Sequence, residues 1–419
     1  MPEQVAVIFV PGIFASHLVK KGRGIAWPIN SNKMGLHLTN YNPTKKREIM
    51  AGANTFEVAG SFDSPKKSWD SVYKKIYQPF LEDCHHNTSI SFDPVVWGAG
   101  YNFTQSNEKS AGQVWKVIES ALKALPPSRN RKYLLITHSM GALPTRYLLN
   151  SQRRRRKACI GVIHVVAPNG GSPEFIMRYF RGLPKAGEAG GSANPTRIIL
   201  GKKGWRVATT ASAIQGAYEL FPFADPTVAR RDQSGGPAPN PSDPTDPFFL
   251  NQIVDFVFSD KNAQANHDRL HRDWRSHFEA AVGKLGNIHT DINRFNRTAQ
   301  GFHRSLGSYM FERTAAVCLI GKKTVQGVKY RFDNKGDLLH ISQEENVNGD
   351  GTVPLWSQKK FMDTVSIRSL GLQLKGDNLV SIVDKGLDHS EPFTEEGREA
   401  GVFEEIYGFM NLLYGAYRE

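Results

Sequence analysis

Cysteine is scarce. Cys84, Cys159 and Cys318 are three residues among 419, widely spaced and odd in number. That spacing excludes a disulfide framework and a cysteine-rich zinc site, and makes a reducing compartment during folding the default expectation. Long hydrophobic runs are missing as well. The first, Val5 to Val10, is too short for a signal-peptide core, ends at Pro11-Gly12 and has no basic region before it. No run approaches the roughly 20 apolar residues needed to span a bilayer. The expectation is a soluble protein, either cytoplasmic or exported by a signal-independent route, with any work on membranes done from the surface. Acidic residues are also in deficit, 40 Asp plus Glu against 53 Lys plus Arg, for a formal charge of +13. This balance fits peripheral contact with an anionic membrane, or simply a basic soluble surface. No nucleic-acid motif is visible and the aromatics are not interleaved with basic residues in a repeated module, so no nucleic-acid partner is expected.

What is present is an alternation of short buried-strand patterns with helical ones. Val5 to Val10 reads as a strand buried on both faces, followed by the turn Gly12-Ile13-Phe14. Trp69 to Leu81 reads as helical and Phe92 to Trp97 as the next strand. Between Ser110 and Leu125, apolar residues at 114, 117, 118, 121, 122 and 125 have the spacing of a crossover helix. Tyr133 to Ile136 and Cys159 to Val166 are further buried strands, and the basic run Arg153 to Lys157 between them suits a solvated helix end. Such alternation predicts a parallel sheet with right-handed crossovers. From about Glu174 to Glu312 the pattern is lost, with Gly-rich stretches, a Pro/Asp/Ser-rich segment from Gly235 to Pro247 and an apolar block from Phe248 to Phe258. The block reads as a buried cap helix or as a lid that meets lipid. Sheet-like sequence returns at Ala315 to Ile320 and Val328 to Phe332, and an amphipathic helix closes the chain from Phe403 to Leu413. The expected division is a core in two parts, residues 1–173 and 313–419, with a cap inserted at 174–312.

The chemistry gathers around Thr137-His138-Ser139-Met140-Gly141, a sharp turn between the strand Tyr133 to Ile136 and a helix-like pattern. A serine at such an apex exposes its hydroxyl, while neighbouring backbone N–H groups and the helix N-terminus face the same space. Glycine is usual two residues before the serine; here that position is Thr137. A serine hydroxyl needs a base to take its proton, and the base needs a carboxylate to fix its tautomer. The chain supplies Ser139, then Asp350 in Asn348-Gly349-Asp350-Gly351-Thr352, then His389 in Asp388-His389-Ser390, each in a loop bearing glycine. Asp388 is the rival acid, and Asp350 alone would also suit a plain turn or a calcium loop. His138 reads as structural. The oxyanion donors are expected at the backbone N–H groups of Met140 and Ile13. His267 and His271 stand at i, i+4 beside Asp268 and Asp273, but no Glu follows His267, so the zinc-protease signature is absent. No metal and no cofactor are expected.

Val10-Pro11-Gly12-Ile13-Phe14-Ala15-Ser16-His17-Leu18, the turn at Ser139, Ala167-Pro168 with Gly170-Gly171-Ser172, Cys318-Leu319-Ile320-Gly321, Gly349 to Pro354, and Asp388-His389 together resemble the lecithin:cholesterol acyltransferase and PGAP1-like branch of the lipase-type α/β-hydrolases. Ser212 to Pro222 resembles the segment before the cap in that group. The resemblance implies an α/β-hydrolase fold, a mostly parallel central sheet flanked by helices with an inserted cap or lid. It also implies hydrolysis of a lipid or other acyl ester through an acyl-enzyme on Ser139, completed by Asp350 and His389. An acyltransferase using the same intermediate, and a hydrolase-fold membrane-binding protein without catalysis, are the alternatives. In outline the chain is also similar to bacterial type VI lipase effectors, a likeness at the level of fold.

Overall fold

The computed structural model of the chain describes residues 2–20, 24–27, 42–51, 56–127, 131–183, 201, 203–223, 229–231, 247–259, 274–332, 338–369 and 372–419. Among these, six strands form a central sheet: β1 (Gln4–Val10), β2 (Asp93–Gly98), β3 (Tyr133–His138), β4 (Cys159–Val165), β5 (Thr314–Ile320) and β6 (Val380–Asp384). Their spatial order is β6-β5-β4-β3-β1-β2 and every pairing is parallel. The apolar runs follow from this, because a parallel sheet covered on both faces leaves no side of a strand for water. Ala6, Ile8 and Val10 of β1 enter one core and Val5, Val7 and Phe9 the other, at the two-residue period of the pleat.

The helices divide between these two cores. On one face lie α2 (Asn107–Ala124), through Val114, Val117, Ile118 and Ala121, and α3 (Ala142–Ser151), through Leu143, Leu148 and Leu149. On the other lie α1 (Lys74–His86), through Tyr77, Phe80, Leu81 and Cys84, and α8 (Val402–Arg418), through Phe403, Ile406, Met410 and Leu413. The Ser106 side chain accepts a hydrogen bond from the Lys109 backbone N–H and caps α2 at its start.

Between β4 and β5 the described residues include α4 (Pro173–Arg181), α5 (Gly204–Ala211), α6 (Pro247–Phe258) and α7 (Leu285–Leu306). Their apolar sides, including Ile176, Trp205, Ile253, Val254, Ile288 and Ile292, join the same core as α2 and α3. Leu250, Ile253, Val254 and Val257 of α6 are buried against this core. A second sheet pairs Ala229–Arg231 in parallel with Thr324–Phe332, which runs antiparallel to Leu338–Asn346. Buried Glu174 of α4 pairs with Arg178 and Arg181, and Arg181 reaches Gln343 of that sheet. The Pro-rich stretch from Gly235 and the pair His267 and His271 lie outside the described residues.

Two expectations change. Trp69 to Leu81 is not one helix: Trp69–Ser71 forms a single tight turn, Val72 is extended, and α1 begins at Lys74. The cause is competition from neighbours. Trp69 Nε1 donates to Val96 O, Ser71 Oγ donates to Gly98 O, and the backbone N–H groups of His17 and Tyr73 bond to Ser71 O and Ala15 O. These bonds tie the segment to the loop after β1 and to the end of β2. The edge strand β6 has no strand signature in the sequence, because Val383 is its one buried residue and Ile382 is exposed. All three cysteines are buried and free.

Leu135 lies in the middle of β3 with neighbours on both sides, fully buried. Leu135→Ala is expected to lower stability by about 2–5 kcal/mol through lost transfer energy and the cavity left behind. Urea unfolding should show a lower midpoint with an unchanged slope.

Candidate active site

β3 ends at His138, and the chain turns through Ser139–Gly141 into α3. Ser139 is held at φ 51°, in the left-handed region that β-carbon sterics disfavour. The turn is forced by closeness to β1. A Cβ on Gly141 would lie 2.6 Å from both Val10 O and Pro11 O, so only glycine fits. Gly12 is similarly confined, its Cβ position 3.0 Å from Ser139 Cβ and 3.1 Å from His138 Nδ1. Thr137, where glycine is usual, hydrogen-bonds through its hydroxyl to buried His164 Nδ1 at 2.7 Å. Burial, with the Arg146 charge nearby, pushes His164 down to about 3, so the ring stays neutral.

The structure brings Ser139, His389 and Asp350 into one hydrogen-bonded line. Ser139 Oγ lies 2.7 Å from His389 Nε2, and His389 Nδ1 lies 2.6 Å from Asp350 Oδ2. Asp350 is fully buried, and its second oxygen accepts from the backbone N–H groups of Thr352 and Val353 at 2.9 and 2.7 Å. The His389 backbone N–H donates to Asp350 O at 2.9 Å, so the two loops are joined by main chain as well as side chain. Asp388 points elsewhere, toward Lys322 at 3.6 Å. Ser139 itself is buried, in contrast to the exposed hydroxyl expected of such an apex, and His389 is the member of the line partly open to solvent, its side chain 17% exposed.

Several groups that hold this line were not singled out as site residues in the sequence, although Ser172 belongs to one of the motifs. Gln358, buried 39 residues from its partner strand, accepts from Leu319 N–H and donates to Leu319 O and Val353 O, pinning the turn of Asp350 to the end of β5. The Thr324 hydroxyl accepts from Gly351 N–H. Ser172 Oγ donates to Thr352 O, and Ser357 Oγ bridges Gly170 and Gly171, joining the loop after β4 to the same turn. Tyr77 of α1 hydrogen-bonds to His138 Nδ1. Each is an ordinary polar residue whose partner is far away in the chain.

At Ile13 no backbone hydrogen bond from N–H is formed among the described residues, whereas Gly12 N–H is engaged with the Tyr77 hydroxyl and Pro11 has no N–H. Met140 is the second residue of the helical turn, where backbone donors lack intrahelical acceptors. The basic run is distant: α3 begins at the serine turn and ends near it, about 15 Å away at helical rise. There Arg156 donates to Leu149 O and Asn150 O, closing the C-terminus of α3, and Arg155 stacks over Trp115. Among the described residues no three His, Cys, Asp or Glu side chains are grouped to hold a metal, and no helix is long and apolar enough to cross a membrane.

A parallel sheet with a strained serine turn at the carboxyl edge of β3, and an acid and a histidine on later loops, defines an α/β-hydrolase. Over 99% of its length the chain superposes on all of the chain described in "The crystal structure of Tle4-Tli4 complex", with TM-score 0.66 and 19% identity, a likeness of fold. Residues 38–222 match the family model described as Lecithin:cholesterol acyltransferase. This stretch contains the serine turn and ends at Pro222; Asp350 and His389 lie beyond it. Looser likenesses include lipase 1 from Pelosinus fermentans (TM-score 0.31, 11% identity, 97% of this chain and 99% of that one). Another is a putative hydrolase from Legionella pneumophila subsp. pneumophila (TM-score 0.37, 12% identity, 99% and 80%). At those scores neither carries an argument. No curated protein matches the chain by sequence.

Glu219, in the segment where the family match ends, is buried. One carboxyl oxygen accepts from the backbone and side chain of Asn107, and burial raises its pKa from 4.5 to about 8. A carboxyl whose folded pKa is raised contributes fully below its unfolded pKa, and that contribution is lost as pH climbs through the folded value. Stability should therefore fall between pH 4.5 and 8, by up to about 1.4 kcal/mol per unit. Glu219→Gln keeps the acceptor for Asn107 and is expected to flatten that fall, melting like the parent at pH 4.5 and higher than it at pH 8.

Proposed function

We propose that the protein is a serine hydrolase that cleaves carboxylic esters of lipids, of lipase or phospholipase type, through an acyl-enzyme on Ser139. The observation that carries this reading is the line from Ser139 Oγ through His389 to buried Asp350, at 2.7 and 2.6 Å. In the proposed cycle His389 Nε2 takes the serine proton as Oγ attacks the ester carbonyl. Asp350 accepts from Nδ1–H, holds the ring in that tautomer and stabilises the imidazolium. The oxyanion is received by the N–H groups of Met140 and Ile13, aided by the positive end of α3. His389 then returns the proton to the leaving alcohol, and water, activated by the same imidazole, releases the acid. No metal or cofactor enters these steps.

A lipid substrate is supported by the match of residues 38–222 to the Lecithin:cholesterol acyltransferase family. In this reading residues 174–312 form a cap that encloses the acyl chain, with α6 as part of its apolar packing. Acyl transfer differs only in whether water or another alcohol reaches the acyl-enzyme. Peripheral docking on anionic membranes and export by a type VI route belong to the same proposal. A protein partner does too, since the whole-chain structural likeness is to a protein solved in a complex. Loss of catalysis in favour of pure membrane binding is the reading that the intact Ser139–His389–Asp350 line disfavours.

A fluorophosphonate probe should label the protein and fail to label Ser139→Ala; persistent labelling of the variant would remove Ser139 from its role. Asp350→Asn should lower kcat for ester hydrolysis by about 10⁴-fold while leaving the thermal melt near that of the parent. An activity within a few-fold of the parent would assign the acid elsewhere.

A further inference from the structure

His138 stands next to the proposed nucleophile, yet no step of the proposed cycle uses it. Its ring is buried and both nitrogens are engaged. Nε2 lies 2.8 Å from the backbone oxygen of His389, and Nδ1 lies 2.8 Å from the Tyr77 hydroxyl. A carbonyl oxygen can only accept, so Nε2 carries the proton and Nδ1 is bare. The Tyr77 O–H must then donate to Nδ1, leaving the phenol oxygen to accept from Gly12 N–H, which it does at 3.2 Å. Every donor in this chain has one direction: Gly12 N–H to Tyr77, Tyr77 O–H to His138, His138 Nε2–H to His389 C=O. The direction does not reverse with pH in the working range, because burial, with His389 nearby, pushes His138 down to about 3 and burial raises Tyr77 above its ordinary value.

The two ends of the chain matter. Gly12 immediately precedes Ile13, and the bond from Gly12 N–H to Tyr77 anchors the peptide next to the one that carries the Ile13 N–H. The other end holds the main chain of His389, whose own N–H is already bonded to Asp350 O. Tyr77 is further braced by Phe9 at 4.7 Å and Phe393 at 5.8 Å between ring centres, one on β1 and the other just past His389.

We infer that Tyr77 and His138 are positioning residues that couple the loop carrying the Ile13 oxyanion donor to the backbone of His389, so that donor and base are held in one geometry. This rests on the acyl-enzyme reading above. Both residues act through other groups and neither is assigned a proton transfer to substrate.

Tyr77→Phe removes the hydroxyl and keeps the ring. It is expected to lower kcat for a p-nitrophenyl ester by about 10-fold or more, with KM within two-fold, since an oxyanion donor works on the transition state. The inhibition constant of an alkyl boronic acid, whose adduct on Ser139 has an oxygen in the oxyanion position, should rise by a similar factor. His138→Gln, which retains a donor for the His389 carbonyl, should lose less activity than His138→Leu. A lowered melting temperature with unchanged kcat and boronate affinity in Tyr77→Phe, while the parent is labelled by fluorophosphonate, would overturn this inference alone. Failure of the parent itself to be labelled would overturn the acyl-enzyme reading and this inference together.

Discussion

Ser139 sits at φ 51° because there is no room for it to sit elsewhere. The chain leaving β3 must pass under the end of β1, and at Gly141 the turn after β3 meets the Val10 and Pro11 carbonyls with no space for a side chain. A non-glycine residue in the left-handed region costs on the order of 1–3 kcal/mol, and it persists only where the surroundings over-determine it. Here the surroundings are buried on both faces of the sheet: β1 and β3 are adjacent strands whose apolar residues from Val5 to Val10 and from Tyr133 to Ile136 are all fully buried. The rigidity of the sheet is thereby converted into the position of one hydroxyl.

The other two groups reach that hydroxyl from distant parts of the chain, and their loops are fixed mainly by hydrogen bonds to backbone. Asp350 receives two N–H donors from its own turn, and the turn is pinned by Gln358 to β5 and by Ser172 to the loop after β4. His389 follows the edge strand β6, and its backbone is held on one side by Asp350 and on the other by His138. Buried Arg146 of α3 donates to Tyr309 O and Gly307 O, which fastens the end of α7 to the helix that begins at the serine. Since α6 is packed inward and the basic run closes the far end of α3, the electrostatic excess of the chain is not focused at the serine by that run.

Much of this was legible in the sequence. β1, β3 and β4 are uninterrupted apolar runs because they are buried on both faces, and α2 shows a clean helical period because it is amphipathic. The strand, turn and helix around Ser139 could be read for the same reason, as could the order Ser139, Asp350, His389. What could not be read depends on partners far away in the chain. β6 lies at an edge and exposes Ile382, so it has no continuous apolar signature. The tight turn at Trp69–Ser71 interrupts an otherwise helical pattern because side chain and backbone bonds to β2 and to the loop after β1 outcompete local propensity. Tyr77 shares a buried helix face with Phe80 and Leu81, and nothing in its spacing reveals that its hydroxyl bridges Gly12 and His138. Thr137 looked like a departure from a glycine position, and its bond to His164 gives that hydroxyl a buried partner.

In the proposed cycle Ser139, activated by His389 and Asp350, becomes covalently acylated. The most direct measurement is rapid acid quenching during turnover of a short-chain p-nitrophenyl ester, followed by mass spectrometry of the intact protein and its peptides. A mass increase equal to one acyl group is expected on the peptide that contains Ser139, appearing before steady state and lost as substrate is exhausted. Turnover of the ester with no adduct, or with an adduct on any other residue, would contradict it.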